Sequence, residues 1–198
     1  MSPIFKESEM TKKRKVVVVM ASPRPRGNSS VLAAEAVRGA AAAGAEVLTV
    51  RLADLSFGPC RACDLCRKAA AKGCVQDDAV KALRRSIKAA HGLLIATPVY
   101  WFTMSAQAKM FMDRLYAFGD KSYRELKGKR VGVILASGDP DPKASGAVNA
   151  MRSFQDAFAY LGAPVAGMVH CGGGRAGSAA RNKALMAEAY ALGASLAK

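Results

Sequence analysis

Apolar residues fall along this chain in short blocks, separated by longer stretches whose apolar positions have helical spacing. The first block, Val16-Val17-Val18-Val19-Met20-Ala21, is unbroken and largely β-branched, as in a strand buried on both faces of a parallel sheet. Further blocks at 46–52, 92–97, 130–136 and 164–171 are each separated by enough residues for a helix. The intervening stretches 29–43, 77–90, 105–118, 144–161 and 178–197 read as helices, the first of them stopped by Gly44. Strands alternating with helices predict an α/β domain of three layers, with helices on both faces of a parallel sheet. Ligands of such sheets bind at the carboxyl ends of the strands.

Size and charge narrow the picture. A chain of 198 residues that is 51% hydrophobic can bury one substantial core. The expected organisation is a flexible basic tail over 1–14 followed by a single domain over 15–198. No apolar run reaches the length of a membrane span, and the first residues lack the apolar block of a secretory signal, so the expected location is cytoplasmic. The net charge of +15, from 30 Lys and Arg against 15 Asp and Glu, favours phosphate-bearing ligands and acidic partners. Basic residues are scattered through the expected helices without a helix-turn-helix, zinc-finger or RNA-binding signature, which argues against nucleic acid.

The loop after the first strand reads Ser22-Pro23-Arg24-Pro25-Arg26-Gly27-Asn28-Ser29-Ser30 and runs straight into a helix. Hydroxyl and amide side chains, backbone N–H groups and the positive end of a helix converge there on a place for a phosphate, with Arg24 and Arg26 able to add charge-assisted bonds. The loop lacks both Gly-x-Gly-x-x-Gly and Gly-Lys-Ser/Thr, so a monophosphate fits better than a dinucleotide or a nucleoside triphosphate. The competing reading is purely structural, with Asn28 or Ser29 capping the helix.

Ser-Pro-Arg-x-x-Gly-Asn-Ser at 22–29 resembles the FMN-phosphate loop of the NADPH-dependent FMN reductase branch of the flavodoxin-like superfamily. Thr97-Pro98-Val99-Tyr100-Trp101-Phe102, followed by Ser105, Lys109 and Phe111-Met112-Asp113-Arg114, resembles the second flavin loop and its helix in the same family. The resemblance implies a five-stranded parallel sheet in the order 2-1-3-4-5. It further implies FMN held by Ser22, Arg24, Gly27, Asn28, Ser29 and Ser30 at its phosphate, and by Pro98, Val99, Tyr100, Trp101 and Phe102 at its ring. The fourth loop, from Ser137 and Gly138, would close over the other side of the ring. NAD(P)H is the implied co-substrate, a quinone or similar small molecule the implied acceptor, and a homodimer or homotetramer the implied assembly. The flavin itself would carry the chemistry, without a catalytic side chain.

Cys60, Cys63, Cys66 and Cys74 form a Cys-x2-Cys-x2-Cys-x7-Cys pattern between the second strand and the second helix. Thiolates so spaced can wrap one metal centre. The pattern resembles that of iron-sulfur flavoproteins, where a 4Fe-4S cluster exchanges electrons with FMN, and zinc is chemically possible too. Cluster-free relatives of the family carry much the same cysteines, also followed by an acidic pair such as Asp77-Asp78. Two alternatives to the reductase therefore stand: an iron-sulfur electron carrier serving an acidic ferredoxin-like partner, and a non-catalytic anion- or nucleotide-binding module. Cys171 lies outside the pattern, and His91 and His170 lack a ligand or catalytic partner at useful spacing, so all three are expected to be structural.

Overall fold

A computed structural model of the chain describes residues 13–68, 73–118 and 125–198. Its strands are β1 (Lys15–Met20), β2 (Glu46–Arg51), β3 (Gly92–Tyr100), β4 (Thr103–Met104), β5 (Arg130–Ser137) and β6 (Val165–Gly172). Its helices are α1 (Asn28–Ala42), α2 (Ala79–Ala89), α3 (Ala106–Arg114), α4 (Ala147–Tyr160) and α5 (Lys183–Ser195). The long strands pair in parallel in the order β2-β1-β3-β5-β6, and β4 folds back antiparallel on β3. Taken alone, the five long strands follow the expected 2-1-3-4-5 order. The two-residue β4 is an addition that no apolar block announces.

The unbroken apolar run of β1 is explained by what lies on each side of it. Val17, Val19 and Ala21 belong to one buried cluster, with Leu83 and Ile87 of α2, Phe111 of α3, and Phe154 and Phe158 of α4. Val16, Val18 and Met20 belong to the other, with Leu32 and Ala36 of α1 and Leu192 of α5. Alternate residues of β3 and β5 divide in the same way, since successive side chains leave a strand on opposite faces. The alanine-rich α1 and α5 cross closely: a Cβ on Gly193 would stand 1.8 Å from the Ala36 carbonyl oxygen, so only glycine fits there.

Several element ends differ from the expectation because a side chain sets them. Asp78 accepts a hydrogen bond from Val80 N at 3.1 Å, which starts α2 at Ala79 rather than at 77. Ser105 caps α3, whose expected last turn winds tighter into a 3-10 segment, Leu115–Phe118. The expected helix from 178 is a 3-10 turn, Ser178–Arg181, followed by a fresh start at the Asn182 cap. Expected helix residues 144–146 belong to the fourth loop instead. The basic tail expected over 1–14 falls, up to residue 12, outside the described residues.

Candidate functional site

The register of the sheet brings three loop starts side by side. Met20 pairs with Ala96, and Pro98 with Ala136, so the chain leaves β1, β3 and β5 at one edge. Ser105 locks this edge: its hydroxyl donates to the Ala21 carbonyl at 3.0 Å, and its N–H donates to Thr97 Oγ1 at 3.1 Å. All of Thr97 and Ser105 is buried. Two neighbouring clefts open above the edge, both lined by Val99, Tyr100 and Gly138.

The first cleft is lined by Ser22, Arg24, Gly27, Asn28 and Ser29 of the first loop, together with Pro98 and Ser137. Ser22, Asn28, Ser29 and Ser30 are buried although polar. The hydroxyls of Ser22 and Ser30 both donate to the Arg24 carbonyl, at 3.2 and 3.0 Å, and so shape the loop. Asn28 does not cap α1. Its Oδ1 accepts from Ala179 N at 3.1 Å, clipping the first loop to the segment after β6. Gly27 stands at the N-cap without a side-chain bond, and the first turn holds no acidic residue. Helix geometry leaves the first-turn N–H groups without intrahelical acceptors, so they and the helix dipole favour an anion here. Arg26 is exposed and does not line this cleft.

The second cleft is lined by Val99, Tyr100, Trp101, Phe102, Gly138, Asp139, Ala144 and Ser145. Trp101 and Phe102 form the two-residue turn between β3 and β4, with φ of 46° and 63°. A turn of this kind needs positive φ at both positions, where glycine or asparagine is at ease and an aromatic is strained by about 1–3 kcal/mol. Gly146 and Asn149 brace it: Asn149 Nδ2 donates to the Phe102 carbonyl at 3.0 Å, and a Cβ on Gly146 would meet Phe102 Cα at 2.4 Å. Trp101 is 92% exposed, Phe102 56% and Tyr100 37%, so none of the three is a core residue. Loops that hold strain around exposed aromatics point to ligand contact rather than packing.

The fourth loop is stiffened by its own acids. Asp139 Oδ1 accepts from Asp141 N at 2.8 Å, and Asp141 Oδ1 from Lys143 N at 2.9 Å. Sequence reasoning missed the loop after β6, where Gly174 and Ala176 complete the first cleft. The run Gly172-Gly173-Gly174 at a strand's carboxyl end was the signal that could have found it. His91 is structural as expected, its Nδ1 accepting from Lys15 N at 3.1 Å.

Cys60, Cys63, Cys66 and Cys74 all line one cavity, together with Arg114 and Tyr116. Burial pushes the Cys66 thiol up, and the nearby Cys74, Cys60 and Cys63 add to the rise. As they stand, however, no three Cys, His, Asp or Glu side chains among the described residues are grouped to hold a metal ion. Cys171 is buried, as expected.

The family model of the NADPH-dependent FMN reductases matches residues 14–168. An iron-sulfur flavoprotein of Methanocaldococcus jannaschii is 38% identical over 100 residues, 50% of this chain and 51% of that one. A Bacillus subtilis protein provisionally named an NAD(P)H-dependent FMN-containing oxidoreductase is 29% identical over 182 residues, 90% of this chain and 96% of that one. The matched part spans about half the length of the first two curated relatives. Among solved structures, the Trp repressor binding protein of Bacillus subtilis superposes with a TM-score of 0.66 at 26% identity, over 89% of this chain and 99% of that one. The NAD(P)H:quinone oxidoreductase of Methanothermobacter marburgensis superposes with a TM-score of 0.71 over 93% of this chain and 100% of that one, and at 19% identity it shows the fold alone.

Proposed function

The chain belongs to the NADPH-dependent FMN reductase family, and from that premise we propose that residues 15–198 form one FMN-binding unit passing electrons from NAD(P)H to a quinone or similar small acceptor. The observation that carries this reading is the joined pair of clefts. A cradle of buried polar side chains at the α1 N-terminus, with Arg24 at its rim, meets, through Val99, Tyr100 and Gly138, a wider cleft rimmed by exposed aromatics. That arrangement fits a phosphate at one end and a flat heterocycle at the other.

Bound FMN supplies the hydride and electron transfer. The chain's residues hold and orient it. The first-turn N–H groups of α1, with Arg24 beside them, would bind the phosphate. Tyr100, Trp101 and Phe102 would lie along the ring, and the 138–145 loop would exclude water from its other side. A nicotinamide would reach the flavin through the mouth of the second cleft. Exposed Trp101 also suits an interface in a homodimer or homotetramer. Among the described residues no helix is long and apolar enough to cross a membrane, and we place the protein in the cytoplasm on the strength of its reductase chemistry.

The test is anaerobic purification, identification of the extracted flavin by mass, and turnover of NADH and NADPH with a quinone. Bound FMN with nicotinamide oxidation supports the reading. A colourless protein that neither takes up FMN nor oxidises either nicotinamide defeats it and leaves the anion-binding module.

A second reading, an iron-sulfur electron carrier with an acidic ferredoxin-like partner, is favoured by the cavity that all four cysteines share. The thiols as placed do not form a ligand set, and no electron step is assigned to them. Iron and acid-labile sulfide assayed on the same anaerobic sample decide it.

A further inference from the structure

Ser137 ends β5 and lines the first cleft, and the next residue, Gly138, lines both clefts. Its side chain makes two contacts of 2.8 Å, to the Asp139 carbonyl oxygen and to His170 Nε2. A hydroxyl has one hydrogen, and a carbonyl can only accept, so Ser137 donates to Asp139. His170 Nε2 must then carry the hydrogen and donate to Ser137 Oγ. The Ser137 carbonyl is held as well, by Gly173 N at 3.0 Å. The Ser137 hydroxyl and carbonyl are thus tied to the turn that follows and to β6 and the residue after it, while the Gly138 N–H has no partner among the described residues.

We infer that His170 is a positioning residue for the flavin: through Ser137 it sets the Ser137-Gly138-Asp139 turn against the bound cofactor. The inference rests on the FMN reading above. His170 does not line either cleft and touches no reacting atom. It acts from β6, as a donor whose loss frees the hydroxyl to rotate and the turn to drift from the ring.

The experiment uses the full chain stripped of FMN and then titrated with it, together with potentiometry of the reloaded protein. His170→Phe keeps a ring but removes the donor, and His170→Gln restores an N–H near the position of Nε2. We expect His170→Phe to weaken FMN binding by roughly fivefold to thirtyfold and to shift the midpoint potential of the bound flavin. His170→Gln should recover most of both. Ser137→Ala should reproduce the loss, and the double variant should lose no more than the worse single one, because the two residues act through one bond. A residue that only supported the fold would lower thermal stability without this coupling and without moving the potential. Unchanged affinity and potential in His170→Phe, or fully additive losses, overturn the inference; should His170→Phe not fold, Ser137→Ala and His170→Gln decide it alone. Failure of the unaltered chain to bind FMN is a different result, and defeats the FMN reading itself.

Discussion

Arg114 and Asp78 meet in a two-pronged ion pair, Nη1 to Oδ2 at 2.7 Å and Nη2 to Oδ1 at 3.0 Å, on a guanidinium that is 2% exposed. Nη1 also donates to the Gly58 carbonyl at 2.8 Å. One side chain of α3 thereby ties the start of α2 to the cysteine-bearing loop. Removing one partner of such a pair strands the other charge away from water, which costs far more than the intact pair contributes. Arg114→Met should therefore destabilise the protein by about 3–5 kcal/mol, read by urea unfolding. Asp78→Asn in the same chain should give back part of that loss, since no unpaired carboxylate remains.

Acid should act on stability in two separate windows. Burial depresses His170, so the unfolded chain takes up its proton first. Stability is complete above the ordinary histidine value of about 6.5, falls as pH drops through it, and levels off below the folded value. Burial alone would raise Asp78, but the hydrogen bonds and charge of Arg114 outweigh it and hold the carboxyl low. Its contribution is present above the ordinary aspartate value of about 3.9 and is lost as pH falls from there through the folded value. Thermal melts from about pH 8 down to about pH 3 should show the upper decline and the onset of the lower one, and His170→Gln should remove the upper one alone.

Gly146, with φ of 74°, presses its missing side chain against the backbone of Phe102. Alanine there would add left-handed strain and a clash that neither backbone can relieve. Gly146→Ala should cost roughly 2–4 kcal/mol in chemical unfolding and should change Trp101 fluorescence, because the aromatic turn must move. A variant with native stability and an unchanged spectrum would show that the turn is not braced by this contact.

The sheet was legible because its pattern is physical: Val16 to Ala21 can be apolar throughout only where both faces are covered, and the strand beside each loop then follows from parallel crossovers. The phosphate loop was legible for a similar reason, a polar loop leading directly into a helix. Other parts depend on partners far along the chain. Nothing local tells that Asn28 bonds Ala179 rather than capping its own helix, or that Gly172-Gly173-Gly174 returns to the first cleft. Trp101 and Phe102 give no turn signal, since aromatic residues favour strands and their positive φ is imposed by Gly146 and Asn149. His170 was read as structural because its partner, Ser137, lies on another strand.

The most direct measurement compares FMN with riboflavin as ligands of the flavin-free chain, followed by flavin fluorescence. The two differ only in the phosphate that the α1 N-terminus and Arg24 are proposed to hold, and two charge-assisted bonds there are worth about 3 kcal/mol or more. FMN should bind at least about a hundredfold more tightly. Equal affinities, or no binding of either, would contradict the assignment of the first cleft to a flavin phosphate.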